Sequence, residues 1–323
     1  MSVGQLMRAL VWLVGLLALM GVNTLMFVWW ERKFIARIHR RHGPLHHGWH
    51  GLLQLPADGL KMLTKESTRP LAADRMFFSL APAMVVVPTY VAYVALPFGP
   101  GAALVDMRHG LFFVFAFQAL LPVGFTVAGW ASANKYSLLG ALRSSAQQIS
   151  YEVPMLLGAL SVVVMAGSLR LTDIVSAQHA VWYVFKQPVG FVLTCVAMIA
   201  EMNRTPFDMP EAESELVAGY NVEYSGMRYG LFMMAEYSVM FVGTMLVSML
   251  YLGGWNLPFL PASPLWLLLK VWLLVTALIW VRGTLPRVRV DILMETSWKV
   301  LIPIGFANLL LIGLLTTIWP RVF

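Results

Sequence analysis

Charge and cysteine are the scarce ingredients of this chain. Only 12% of its 323 residues are Asp, Glu, Lys or Arg, and there is one cysteine, Cys195. Soluble domains carry about a quarter charged residues, so a soluble fold of this composition would lack a polar skin. A single thiol excludes a disulfide framework, iron–sulfur ligation and a Cys-rich zinc site built from this chain alone. No glycine-rich loop of the phosphate-cradling or dinucleotide type occurs, which argues against nucleotide enzymes that depend on one. No low-complexity tract or internal repeat is visible.

What is abundant is apolar, with 59% of residues hydrophobic. A bilayer crossing needs roughly 20 such residues in a row. Eight stretches qualify: about 8–30, 77–98, 111–131, 153–170, 184–202, 229–252, 265–282 and 299–319. The expectation is an all-α polytopic membrane protein with eight transmembrane helices, one membrane domain over 1–323. Trp29, Trp30, Trp130, Tyr251, Trp255, Trp298 and Trp319 sit near span ends, as interfacial belts do. The first run is too long for a cleaved signal peptide, and its positive cluster follows it.

The net charge of +7 could point to nucleic acid. Its distribution points to a membrane instead. Most Lys and Arg fall in the odd loops, 31–76, 132–152, 203–228 and 283–298. Those loops are therefore expected in the cytoplasm and both termini in the periplasm, for a chain in a bacterial inner membrane. Of the acids, only Asp106 and Asp173 lie away from the cytoplasmic half.

The first loop opens with Glu31-Arg32-Lys33 at a span end and turns at Gly43-Pro44. Farther on, Leu53, Leu60 and Leu63 keep roughly helical spacing against Asp58, Lys61 and Lys65. That pattern suits an amphipathic helix lying on the membrane surface. The fifth loop holds Asp208, Glu211, Glu213, Glu215 and Glu223 against only Arg204 and Arg228, an acidic run on the side that should be basic. Asp208-Met209-Pro210-Glu211 reads as a capped helix start. Glu211 and Glu215 would then share a face.

Carboxylates also stand inside or beside the spans: Glu31, Glu152, Glu201 and Glu236. Charge in hydrocarbon costs several kcal/mol and faces the bundle interior or water. Burial and neighbouring negative charge both raise a carboxylate pKa, so such a cluster could pass protons near neutral pH. Arg32, Arg37, Arg143, Arg204, Arg282, Arg287 and Arg289 could instead make them structural ion pairs between helices, and composition leaves both readings open. Five histidines crowd one stretch, His39, His42, His46, His47 and His50. Their spacing fits no standard metal pattern, and a polar loop packed on a partner protein suits them better.

Longer motifs carry a resemblance. The run Glu201 to Glu215, then Gly219 to Arg228, then Glu236-Tyr237, resembles the H subunit of NADH-quinone oxidoreductase, the membrane component of respiratory complex I that holds the quinone site. Glu31-Arg32-Lys33 with Gly43-Pro44 and Gly51 to Gln54, the run Asn134 to Arg143, Ser150-Tyr151-Glu152, and Leu285 to Arg289 through Trp298 to Pro303 agree with it. The resemblance covers essentially the whole chain. It departs at His39, where the family usually has Gln, and at Leu45-His46, where it usually has Asn and a basic residue.

The resemblance implies that the odd loops meet the hydrophilic arm of the complex. It also implies a quinone chamber at that junction, formed by Glu31, Arg32, Arg37, Asp58, Phe207, Asp208 and Glu211. A proton path follows, of Glu152, Glu201, Glu213, Glu215, Glu223 and Glu236. The substrate would be a quinone, ubiquinone or menaquinone, with no metal or iron–sulfur cluster in this chain. Partners would be the arm's iron–sulfur and quinone-site subunits, the adjacent small membrane subunits and lipid, with no nucleic acid. The alternative is a proton-conducting membrane subunit of a related energy-converting hydrogenase or formate hydrogenlyase. A lone secondary transporter fits less well, because such proteins show matched halves with broken helices at midplane.

Overall fold

The computed structural model describes residues 3–210, 213–258 and 260–319. Among them every regular element is helical, apart from one isolated bridge between Leu257 and Leu260. In chain order the helices are α1 (Val3–Ile38), α2 (Gln54–Thr64), α3 (Arg75–Val94), α4 (Gly110–Gln118), α5 (Leu121–Ala131), α6 (Lys135–Ala166), α7 (Leu171–Ala177), α8 (Tyr183–Lys186), α9 (Pro188–Glu201), α10 (Glu213–Leu216), α11 (Gly226–Tyr251), α12 (Pro264–Thr284), α13 (Val290–Glu295) and α14 (Ile302–Ile318). Single 3-10 turns form at Trp49–Gly51 and Gly219–Asn221, and a π-helical turn at Thr296–Leu301 joins α13 to α14.

Among the described residues, seven segments are long and apolar enough to cross a bilayer, counting α4 with α5 and α13 with α14 as one each. The apolar stretch expected at 184–202 is divided. Gln187 separates α8 from α9, and Pro188 starts α9, which has 14 residues. A proline at the first helical position costs nothing there, because that N–H has no intrahelical partner in any case.

Other boundaries also move. α1 runs on through Ile38, so Glu31, Arg32 and Arg37 stand on a helix and not in a loop. Buried Ala36 shows why: this turn packs inside the protein. α6 begins at Lys135, capped by the Asn134 side chain, which accepts from Tyr136 N at 2.9 Å. Most of 132–152 is therefore helix, and Glu152 is mid-helix. The stretch expected as one span at 111–131 breaks between Gln118 and Leu121, just ahead of Pro122. A proline there supplies no N–H to the preceding turn.

α11 is the axis of the bundle. Its apolar window is 78% buried, against 28% for α1 and α12. A helix apolar on all sides belongs inside, wrapped by others. α1, α3 and α12 pack on it, and α6 with α5, α9 and α14 forms the neighbouring layer. Glycines allow the closest approaches. A Cβ on Gly158 of α6 would overlap Thr194 Oγ1 of α9, and one on Gly140 would lie 2.5 Å from Gly219 Cα. Small residues bring helix backbones together in this way.

One buried cation fastens the end of α11. Lys270 of α12 donates to the carbonyls of Leu252 (2.6 Å), Gly254 (2.8 Å) and Asn256 (2.6 Å) and lies 4.5 Å from the Trp182 ring centroid. Carbonyls at a helix C-terminus lack intrahelical donors, and an ammonium there suits the helix dipole. Lys270→Met should leave these carbonyls unpaired and destabilise the protein by on the order of 3 kcal/mol. Thermal unfolding in detergent would read this as a lowered midpoint, and an unchanged midpoint would contradict it.

Candidate functional site

Two carboxylates deep in the bundle are held alike. Glu31 of α1 is 8% exposed and pairs with Arg282 of α12. It also accepts from the Tyr237 hydroxyl of α11 at 2.9 Å. Glu236 of α11 is 9% exposed, pairs with Arg204 at 3.2 Å and accepts from the Tyr220 hydroxyl at 2.5 Å. Each acid thus sits between one arginine and one tyrosine hydroxyl. Burying a charge is tolerable only with such pairing and hydrogen bonding.

Arg204 joins the two halves. Its guanidinium lies 4.6 Å from the Tyr237 ring centroid, so one face of that ring carries a cation while its hydroxyl serves Glu31. The result is a continuous line: Arg282, Glu31, Tyr237, Arg204, Glu236, Tyr220. A small pocket beside it is lined by Glu31, Met202, Arg204, Thr205, Met240 and Arg282, among others.

A second carboxylate pair is built differently. Glu201, on the last turn of α9, is 6% exposed, and its charged neighbour is Glu152 of α6. Among the described residues no cation pairs with either. Side-chain amides fasten this corner to α6. Gln147 Nε2 donates to the carbonyls of Ala200 (2.6 Å) and Phe207 (2.7 Å), and Asn203 Nδ2 donates to Ser144 Oγ at 2.9 Å.

The acidic loop is stapled from several sides. Exposed Glu215 accepts from Arg143 of α6 at 2.6 Å, with Arg287 3.6 Å away. The Arg143 hydrogen bond, then the Arg287 charge, hold its carboxyl below the usual carboxylate range. Glu223 accepts from Asn134 Nδ2 at 2.7 Å, the same side chain that caps α6. The Tyr224 ring stacks on Phe78 at 4.2 Å, and burial pushes its hydroxyl up to about 12. Val288 N donates to Pro206 O at 2.9 Å, tying this loop to the chain after α12.

The residues expected around a quinone divide into three places. Glu31 and Arg32 share a pocket with Arg41, His42 and Pro44, and Arg32 pairs with Asp58 of α2 at 2.9 Å. Arg37 lines a separate aromatic pocket with Trp29, Trp30, Phe34, Trp49 and His50. Phe207 lies against α6, its ring 5.8 Å from that of Tyr151 and its carbonyl accepting from Gln147, and Asp208 follows it in the chain. Met209 and Pro210 are not helical, and the rest of the helix start expected at Asp208 lies outside the described residues. Glu211, and the side chain of Glu213, lie outside the described residues. On α2, Leu55 is buried, whereas Leu60, Leu63 and the preceding Leu53 are exposed. Among the described residues no group of three His, Cys, Asp or Glu converges as a metal site.

Sequence reasoning named Arg204 and Arg282 as available cations but assigned Tyr220 and Tyr237 no task. A tyrosine directly after Glu236 was the visible signal.

Glu215 generates a pH expectation. Its folded pKa is depressed, so its pairing supports the loop above the unfolded value of 4.5 and is lost as pH falls below it. Corrected for the intrinsic pH dependence of amide exchange, protection over 213–222 should fall only as pH drops below 4.5, and Glu215→Gln should show reduced protection already at pH 7. Equal exchange in the variant and the parent at pH 7 would contradict the tether.

The chain is similar to known proteins over most of its length. A family model described as NADH dehydrogenase matches residues 11–313. The NADH-quinone oxidoreductase H subunit of Geobacillus kaustophilus is 48% identical over 306 residues, covering 92% of each chain. The H subunits of Geobacillus thermodenitrificans and Bacillus mycoides are 46% and 47% identical, covering 94% and 88% of this chain and 94% and 87% of their own. The chain therefore belongs to the family of NADH-quinone oxidoreductase H subunits.

Proposed function

We propose that this chain is the membrane component in which quinone reduction is converted into proton movement within a proton-translocating NADH-quinone oxidoreductase. Membership of the H-subunit family and seven membrane-spanning segments support a multi-pass component of that complex in a bacterial inner membrane. α9 serves as an eighth crossing, its 14 residues extended by α8. The whole chain then forms one membrane domain. The excess of Lys and Arg in the odd loops supports a cytoplasmic position for them and a periplasmic one for both termini. α2 lies in the interface, with Leu53, Leu60 and Leu63 toward lipid and Leu55 toward the bundle.

The carrying observation is the line from Arg282 to Tyr220. It connects Glu31, in the expected quinone set, to Glu236, in the expected proton set, through Tyr237 and Arg204. Quinone is the substrate, received near Glu31, Arg32, Arg37 and Asp58 on one side and Phe207, Asp208 and Glu211 on the other. Electrons come from an iron–sulfur protein of the hydrophilic arm. Reduction changes the charge at Glu31, and in a medium of low dielectric that change is felt along the line. Arg204 lies between the two acids and shifts its balance between the Tyr237 ring and Glu236.

The carboxylates then divide by surroundings. Glu31 and Glu236 are charge-compensated and transmit. Glu152 and Glu201 have no cation beside them and exchange the proton. Glu213, Glu215 and Glu223 belong to the loop that answers to quinone, with Glu215 and Glu223 holding it against α6. Protons leave this chain toward the adjacent small membrane subunits. The hydrogenase alternative receives no support from the relatives, which are named for quinone.

Two variants test this. Tyr237→Phe keeps the ring under Arg204 and deletes only the hydroxyl that Glu31 accepts. A hydrogen bond to a charged group contributes about 1.5–3 kcal/mol, so coupled quinone reduction should fall roughly tenfold or more in an assembled complex. Parental activity would exclude the line. Glu201→Gln should assemble, yet translocate fewer protons per quinone reduced, measured by dye quenching in inside-out vesicles. Full translocation would remove Glu201 from the path.

A further inference from the structure

One face of α1 changes character in a fixed order along its length. Val11, Val22, Met26, Trp29, Lys33 and Arg37 recur at helical spacing and so share one stripe. Val11, Val22 and Met26 are exposed. At 1.5 Å per residue Trp29 stands about 27 Å from Val11, close to the roughly 30 Å of a hydrocarbon core. Lys33 follows about 6 Å farther on, in the headgroup layer, and Arg37 about 12 Å on, at its outer edge.

At that level a cavity of about 170 Å³ is lined by Trp29, Lys33, Arg37, Trp49 and His50, among others. Its walls are held in place. Trp29 Nε1 donates to the His50 carbonyl at 3.2 Å, which brings the turn at Trp49–Gly51 against α1. The Lys33 ammonium lies 5.9 Å from the Trp29 ring centroid. The loop passes close over its stem, since a Cβ on Gly43 would stand 3.3 Å from Lys33 Cδ. Trp49 is 78% exposed, although it is among the largest apolar side chains of the loop.

The cations here lack anions. Among the described residues neither Lys33 nor Arg37 forms an ion pair, and the cavity lining includes no carboxylate. The acids of this region are engaged elsewhere: Asp58 pairs with Arg32, and Glu31, on the opposite face of α1 from Lys33, pairs with Arg282. A ligand for this place must bring negative charge to two cations, lay an apolar part along Val22 and Met26, and sit where water meets hydrocarbon. An anionic phospholipid does all three, with its phosphate at Lys33 and Arg37, its glycerol esters against the tryptophans and its acyl chains on the stripe. A choline headgroup suits the cavity less. Its ammonium finds no carboxylate there, and Lys33 already lies against the Trp29 ring.

We propose that Trp29, Lys33, Arg37 and Trp49 form a binding site for an anionic phospholipid of the cytoplasmic leaflet. The choice of leaflet rests on the cytoplasmic placement of the odd loops proposed above. A lipid held there fixes the height of α1 in the bilayer, and with it the depth of Glu31 on the other face of the same helix.

The test is photolabelling of the intact complex in detergent micelles, with a photoactivatable phosphatidylglycerol and its phosphatidylcholine counterpart. Mass spectrometry then reads the peptides covering residues 22–50. Phosphatidylglycerol should label them on the order of tenfold more than phosphatidylcholine, given two cations. Lys33, which no step of the quinone reading uses, carries the variants. Lys33→Gln should lower this preference about fivefold, the factor equivalent to the ~1 kcal/mol that one basic residue contributes near an anionic surface, and Lys33→Arg should keep it. Taking the ratio of the two lipids removes any change in overall folding. Equal labelling by both lipids, an unchanged ratio in Lys33→Gln, or no labelling because a partner polypeptide covers Trp49 would each overturn the site. The measurement reads no quinone turnover, and a micelle has no sides. A failed quinone or orientation reading would therefore leave the lipid site standing.

Discussion

Two carboxylates cannot stand charged inside a helical bundle unless each has a cation and a donor within contact, and much of this structure serves that requirement. Arg282 and Tyr237 meet it for Glu31; Arg204 and Tyr220 meet it for Glu236. Satisfying both draws together α1, α11, α12, the segment after α9 and the turn at Gly219–Asn221. It also explains why α1 stays helical past the apolar stretch to Ile38, since Glu31 must reach α11 and α12 from its inward face. A buried pair of this kind adds little net stability compared with an apolar core of the same volume. Its value here is a fixed arrangement of charge that a change at one end can disturb.

The acidic loop depends on the same region. Arg204 begins it, and α6 then holds it through Gln147, Arg143 and the Asn134 cap. Gly140 and Gly219 make the contact close enough for the Tyr220 hydroxyl to reach Glu236. A shift of this loop therefore moves both partners of Glu236 together. Glu201 and Glu152 have no such compensation among the described residues, and the proposed function rests on this difference in assigning them the proton and Glu31 and Glu236 the transmission of charge.

Much of this was legible in the residues. Apolar stretches located the spans because a bilayer demands length and little else. Buried Glu31, Glu201 and Glu236 stood out because charge is rare in such a chain. Helix ends were harder. Lys135 to Glu152 is polar enough to read as a loop, yet Asn134 caps it and its buried face, Ser137, Ser144, Gln147 and Gln148, packs on the acidic loop. The capped start expected at Asp208 runs into Glu211, outside the described residues. Pairing could not be read at all. Tyr237 lies 206 residues from Glu31, and nothing local in the chain announces that contact. Lys270 was equally hidden, since its partners are backbone carbonyls that carry no sequence signature.

The central claim is that Glu31 and Glu236 act as one unit through Tyr237 and Arg204. A double-mutant cycle measures this most directly, using Glu31→Gln, Glu236→Gln and the double variant, with quinone-driven proton translocation read in vesicles. The account predicts strong non-additivity: once either acid is neutralised, losing the second should cost little more. Losses that simply multiply, as for independent sites, would contradict it.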